Sequence, residues 1–397
     1  MTIAHPIATA WLSTGGPPAR TTGAQNYDEF ADDAEITAII AANPASALAV
    51  EMPHRAPDSL GLSFADALPA AVDRLARAKA EGRYARHDGI VALYRIRAGD
   101  STAYGLWTMV DTDQISTSAD EPGLVIRNED VFLDKVRERV ALAQATGHLL
   151  SPVLLLQTAD GLQAALEEAV AAAGAPAVTD TDQAGRIHEV WPLPAGERQA
   201  ALLALAGAGE LVVADGNHRS LAAQTAGLDR FLAVVTTPAS VRIQPYNRLV
   251  SELTVPPREL VERLRATPAT PGVPPARGTI HLYLDGRLFA ATLPRDEAAP
   301  DVDNLDHALV ERVLFRDLLG LDPGDKRITY VGGDYPTRWL TGEVDAGRAE
   351  LAVLVAPVTV DDFVAVNLAR QKLPRKSTWF TPKARAGLVL AQLSAQD

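Results

Sequence analysis

The chain has no cysteine among its 397 residues. That absence excludes disulfide staples, thiolate catalysis, Cys-based zinc sites and iron–sulfur clusters together. A basic surplus is missing too: 37 Lys and Arg against 50 Asp and Glu leave a net charge of −13. General nucleic-acid binding needs phosphate neutralisation, so an acidic chain without a basic tail argues against it. A local basic pocket for a small phosphorylated ligand is still allowed. Long apolar runs are absent. The longest, near residues 149–156 and 351–357, fall well short of the ~20 residues a spanning helix needs. The opening residues 1–6 carry no basic stretch ahead of an apolar one, so no export signal is read and a cytoplasmic location is expected. Gly-Lys pairs are absent, which removes a Walker A loop, and no Gly-x-Gly-x-x-Gly opens a βαβ unit. His188-Glu189 is not followed by the second His of a zincin. Gly61-Leu62-Ser63-Phe64-Ala65 only approaches a nucleophile elbow and lacks its second glycine.

What is present reads as a globular chain of 47% hydrophobic and 22% charged residues. At ~100–200 residues per domain its length predicts two or three domains. The apolar spacing predicts helices over residues 31–42, 64–81, 129–146, 162–173 and 199–206. Strands are expected at 48–52, 89–96, 103–110, 153–157 and 210–214, with a hairpin through Gly99-Asp100. A Pro-rich stretch at 267–275 marks a loop or linker. Beyond it, residues 279–284 and 286–293 predict a hairpin turning at Asp285-Gly286. Helices follow at 308–319, 361–369 and 382–393, and strands at 327–331 and 349–355. The fold class is mixed α/β (α+β), with a boundary expected near residue 250.

Three segments carry chemistry. In the first, an apolar strand ends in Asp215-Gly216-Asn217-His218-Arg219 and a helix follows. Backbone N–H groups at a helix start, with the positive end of the dipole, favour an anion. Arg219 adds bidentate phosphate chemistry, His218 can donate to a phosphate oxygen, and Asp215 can hold Mg2+ or a substrate hydroxyl. The plainer alternative makes Asp215 a helix N-cap and Arg219 one half of a surface ion pair. In the second, Gly123-Leu124-Val125-Ile126-Arg127-Asn128-Glu129 leads into a helix, where a first-turn carboxylate is stabilised by the dipole alone. The third, residues 372–383, is basic, hydroxyl-rich and interleaved with aromatics. It reads either as a solvated loop or as a phosphate or carboxylate clamp.

Val213-Ala214-Asp215-Gly216-Asn217-His218-Arg219 resembles the Asp-Gly-x-His-Arg signature of the free serine kinase family, within the ParB/sulfiredoxin superfamily. Tyr27-Asp28, Asn43-Pro44, Gly123…Asn128-Glu129, Pro245-Tyr246-Asn247-Arg248 and Lys376-Ser377-Thr378-Trp379-Phe380-Thr381-Pro382-Lys383 look like further stations of its long, SerK-like group, in order from about Tyr27 to Leu393. The resemblance implies a ParB/sulfiredoxin-like nucleotide-binding core over residues 1–250 with an N-terminal elaboration. An α/β part over 251–397 would add the Lys-Ser-Thr loop. It implies phosphorylation of the hydroxyl of free serine or a related metabolite, with ATP or ADP and Mg2+. Glu129 takes the general-base position and Asp215 helps place metal or substrate. Gly216, Asn217, His218 and Arg219 hold the phosphates, and His218 is counted as catalytic. Arg127, Asn128, Arg248, Lys376, Ser377, Thr378 and Lys383 belong to the substrate or phosphate side. The expected partners are a small-molecule substrate and a nucleotide, with a homodimer left open, and neither nucleic acid nor membrane. The chain departs from the family where His becomes Asn128, Asn217 and Asn247 and an aromatic becomes Ser220. Asn keeps hydrogen bonding but does not titrate. A non-catalytic nucleotide-binding regulator of ParB-like type is therefore the alternative reading.

Overall fold

A computed structural model describes residues 2–16, 20–30, 32–116, 123–127, 131–322 and 324–393. Asn128 and Glu129 lie outside the described residues. The chain is of mixed α/β class and divides into two compact units. One runs to Val241 and takes back the segment from Pro382 onward; the other is Arg242–Thr381. No helix among the described residues is long and apolar enough to cross a membrane.

The first unit is built on a mixed sheet of thirteen strands. Its long hairpin, β1 (Tyr84–Ala98) and β2 (Ser101–Asp111), turns at Gly99-Asp100, where the sequence places it. The site strand β3 (Leu211–Asp215) pairs parallel with Val125–Ile126 and antiparallel with Val153–Gln157. Leu211, Val212 and Val213 are fully buried, as a strand covered on both faces must be. β4 (Arg230–Thr236) joins Val153–Gln157 to β2. Apolar side chains of this sheet, including Leu106, Leu155, Val213 and Phe231, pack with Leu166 and Leu202 of two flanking helices into one core. Three further helices frame the site: α1 (Phe64–Ala80), α2 (Leu133–Thr146) and α3 (Asn217–Thr225). The Ser63 hydroxyl caps α1 by accepting from the Asp66 N–H, and Gly147 closes α2 in the left-handed region, both as helix-end chemistry requires.

Two expectations fail, each for a packing reason. Residues 48–52, read as a strand, form the short helix Leu48–Glu51. All four of its side chains are buried, and a short apolar run buried all round carries no period to tell helix from strand. Residues 382–393, read as the last helix, are extended. They end in β5 (Val389–Gln392), which pairs with Ile7–Ser13 and with His148–Leu149. Gly387 shows why: it has φ 71°, and a Cβ there would meet the Ala47 Cβ at 2.3 Å and the Thr22 carbonyl at 2.5 Å.

The second unit holds a six-stranded antiparallel sheet in the order Thr267–Pro268, Arg287–Thr292, Thr279–Leu284, Leu351–Val355, Asn247–Val250 and Ile328–Val331. The Asp285-Gly286 turn has positive φ at both residues, the geometry of the tight hairpin its dipeptide predicts. The expected helix at 308–319 is one α turn, Asp306–Leu309, continuing as a π-helix, Val310–Leu319. Its Leu314 and Phe315 sit in a separate core with Leu282 and Val353.

Candidate functional site

The site begins with a break in register. Between Val213 and Asp215 the pairing of β3 with its antiparallel neighbour shifts. Such irregularities re-aim a side chain at a strand end. Gly216 then takes φ 97° and opens α3. A Cβ at this position would lie 3.0 Å from Arg219 Nε and 3.2 Å from Val153 Cα, so the backbone angle calls for glycine and the fit around a larger residue would be tight. The Ser220 N–H donates to the Gly216 carbonyl, so the earlier N–H groups of α3 project from the helix end rather than into it. Gly216 is the N-cap of α3, and among the described residues no side-chain cap bond is made there. Asp215 is thus not its N-cap.

Asp215 has another task. Its Oδ1 accepts from Lys383 Nζ at 2.8 Å, and its Oδ2 accepts from Arg219 Nη2. Burial pushes this carboxyl up, but Lys383 and Arg219 outweigh it and hold it below the usual carboxylate range. Arg219 is buried, not a surface partner: Nη1 also donates to Asn26 Oδ1 at 3.1 Å and to the Pro152 carbonyl. The two residues therefore form an ion pair, as the plainer sequence alternative has it, but an interior one with a third member 168 residues away.

His218 is 6% exposed. Its Nε2 accepts the Phe132 N–H at 3.0 Å, and its ring lies 8° from parallel to Phe132. That bond fixes Nε2 as the unprotonated nitrogen. It also fastens the start of α3 to the segment entering α2, the segment that follows Glu129 in sequence. Arg127 stands on the same approach, its N–H donating to the Ser116 carbonyl at 3.1 Å.

Three residues here were not singled out from the sequence as site residues: Asn26, Glu29 and Glu51. Asn26 and Glu29 bracket a single 3-10 turn, and Glu29 Oε1 accepts from both the backbone and side-chain N–H groups of Asn26. The Asn-x-x-Glu spacing is a helix-start signature and was the available signal. Glu29 lies near Lys383 and Asp215, and burial raises its carboxyl. Glu51 is raised by burial as well, against Arg139 and a hydrogen bond from the Ser151 hydroxyl. Arg139 donates to the Glu51 carbonyl at 2.9 Å and lies over the Tyr27 ring at 4.1 Å. With Asp28, which acts on Asp215 and Arg219, four carboxylates meet three cations.

The remaining candidates divide between the units. Lys383 belongs to the first. Arg248, Lys376, Ser377 and Thr378 belong to the second. There Arg248 is fully buried, donating to the Tyr246 carbonyl and to Glu311 Oε1. The Ser377 hydroxyl donates to the Pro374 carbonyl at 2.5 Å, and Lys376 Nζ lies 5.4 Å from the Tyr246 ring centre. Mg2+ does not fit Asp215 as it is held: each carboxylate oxygen already faces a cation, and Mg2+ wants carboxylate oxygens to itself beside phosphate and water. Among the described residues no three acidic or histidine side chains converge to hold a metal.

A glycine turn at a helix N-terminus, backed by buried cations, defines an α/β protein with a candidate oxyanion site. Residues 17–308 match the family described as "Protein of unknown function (DUF1015)", and the chain belongs to that family. No curated protein matches it. Among solved structures, a free serine kinase in complex with AMP is 13% identical, with a TM-score of 0.38 over 69% of this chain and 87% of that one. SbnI from Staphylococcus aureus, truncated at its C-terminus, is 15% identical, with a TM-score of 0.40 over 71% and 85%. A conserved hypothetical protein from Pyrococcus furiosus is 12% identical, with a TM-score of 0.38 over 71% and 95%.

Proposed function

We propose that the protein binds ATP or ADP at the Gly216 turn and transfers its terminal phosphoryl group to the hydroxyl of free serine or a related small metabolite. The observation that supports this is the left-handed Gly216 opening α3, with Asp215, Arg219 and Lys383 packed beneath it. The N–H groups from Asn217 onward take the phosphate oxygens, and His218 lends its other ring nitrogen, Nδ1, as donor. In the transfer the acceptor oxygen forms the new P–O bond, the bond to the bridging oxygen breaks, and the shorter nucleotide leaves. Glu129 takes the hydroxyl proton. Positioning and charge carry most of such a reaction.

The second reading, a regulator that binds nucleotide without turnover, draws on the engagement of both Asp215 oxygens and on asparagine at 128, 217 and 247. One experiment separates the two. Free amino acids and small alcohols are screened with ATP and ADP by mass spectrometry, alongside Glu129→Gln and His218→Ala. The kinase reading expects a phosphorylated acceptor, lost in Glu129→Gln while nucleotide still binds. The regulatory reading expects nucleotide binding with no product. Unchanged nucleotide affinity in His218→Ala would overturn both.

A further inference from the structure

A cavity of about 170 Å3 lies against the C-terminal half of α1, its lining sharing no residue with the Gly216 turn. That is comparable to an engineered cavity of ~150 Å3 that takes up benzene. Its apolar wall is Val50, Leu75 and the ring of Tyr84, all buried. Its rim is basic: Arg74, Arg77 and Arg83 line it against the single carboxylate of Glu81. Three positive groups face Glu81 and, beside Arg74, Asp58, which leaves a local charge of +1 in a chain of −13. Nothing in the proposed phosphoryl transfer uses these residues.

The three guanidiniums are not equally engaged. Arg74 donates to the Ala49 carbonyl at 3.0 Å and ion-pairs with Asp58. Arg83 donates to Glu81 at 2.8 Å and reaches the Arg20 carbonyl at 3.4 Å. Among the described residues, the Arg77 side chain has neither a hydrogen bond nor an ion pair. The helix dipole accounts for a basic residue in the last turn of α1. It does not account for three arginines converging on one cleft with an apolar floor. The fixed fork of a guanidinium matches a planar or tetrahedral oxyanion, and the floor suits a short apolar body.

We propose that this cleft binds a small molecule carrying a phosphate or carboxylate group, its charge on Arg77 and Arg83 and its carbon skeleton on Val50, Leu75 and Tyr84. The inference is independent of the kinase reading. The test is calorimetric titration of the full chain with inorganic phosphate and with succinate, at ionic strength matched with NaCl. The two titrants separate phosphate from carboxylate as the recognised group. Saturable binding of at least one is expected, weakened about tenfold or more in Arg77→Ala and tightened in Glu81→Gln, which removes the competing carboxylate. Arg77 is exposed and unpaired, so its replacement leaves folding intact, as an unchanged Tm checks. Phosphate held at the Gly216 turn is separated out by repeating the titrations in His218→Ala, where the binding component that Arg77→Ala removes is expected to remain. No saturable binding of either titrant overturns the proposal. So does affinity in His218→Ala that is unchanged on adding Arg77→Ala, or the absence of any saturable binding in His218→Ala, since either places the anion elsewhere.

Discussion

Lys383 Nζ lies 2.8 Å from Asp215 Oδ1, a contact between the segment before the last strand and the acid that precedes the glycine turn. The side chains are 11% and 14% exposed. The bond does more than neutralise a charge. Asn26 donates to the Ala384 carbonyl at 3.2 Å while accepting from Arg219. The segment 382–388, the Asn26–Glu29 turn and the start of α3 are thus fastened to one another.

Lys383→Met is expected to destabilise the first unit by about 2 kcal/mol. Removing one partner of a buried pair costs ~3–5 kcal/mol when the other charge is stranded, and here Arg219 still faces Asp215, which lowers the figure. Urea unfolding measures it. In a double-mutant cycle with Asp215→Asn the two losses should be strongly non-additive. Additive losses would show that the two side chains do not interact.

Gly216→Ala is expected to cost about 1–3 kcal/mol, because alanine must hold φ 97° with its Cβ against Val153 Cα. Under the proposed function it also weakens ATP and ADP at least tenfold, since relaxing the turn moves the first N–H groups of α3. Urea unfolding and nucleotide titration are read together. Lost stability with unchanged affinity would put the nucleotide elsewhere.

Much of this was legible in the sequence. The strand ending at Asp215, the glycine turn and the helix after it are local, and their pattern and turn chemistry are written in consecutive residues. The hairpins at Gly99-Asp100 and Asp285-Gly286 are local in the same way. What could not be read is what arrives from far along the chain. Glu29 and Glu51 look like ordinary surface acids until the fold buries them beside Asp215, Arg139 and Arg219. Residues 382–393 carry an apolar run that suits a helix, and only the gap between Ile7–Ser13 and His148–Leu149 makes part of it a strand. Arg219 reads equally well as a phosphate clamp and as a strut, and only its bonds to Asn26 and Pro152 show the strut.

Stability should fall as pH drops from about 6.5 toward 4, and His148 should account for part of the fall. Burial, with Lys79 nearby, lowers the His148 imidazole to about 4 against a backbone bond to Thr146 that raises it. The unfolded chain therefore takes up a proton near pH 6.5 that the folded one refuses until about 4. Stability is lost across that window, by up to about 3 kcal/mol for a shift of this size. Buried His188 and His307 are lowered as well and act in the same direction. Glu29 and Glu51, raised by burial, act oppositely. Comparing the wild type with His148→Gln isolates the one residue: the variant should show a shallower loss between pH 6.5 and 4 in urea unfolding. Parallel curves would remove His148 from the account.

Ending the chain at Thr381 should unfold the first unit and spare the core of the second. The lost segment includes Leu388, Val389 and Leu390, all fully buried. Its loss also takes Lys383 from Asp215 and Arg385 from Asp180, two acids that are themselves buried or nearly so. Ile7–Ser13 and His148–Leu149 would lose the strand between them, leaving unpaired backbone groups that are costly when buried. The second unit keeps its six strands and the packing of Leu282, Phe315 and Val353. Amide hydrogen exchange reads the two outcomes separately, because protection reports local opening. Leu211–Asp215 should lose ~100-fold or more of its protection, while Leu351–Val355 keeps most of its own. A synthetic peptide of residues 382–393 should restore protection to Leu211–Asp215 by refilling the gap in the sheet. Full protection of Leu211–Asp215 in the shortened chain would mean that the returning segment decorates the first unit and does not complete it.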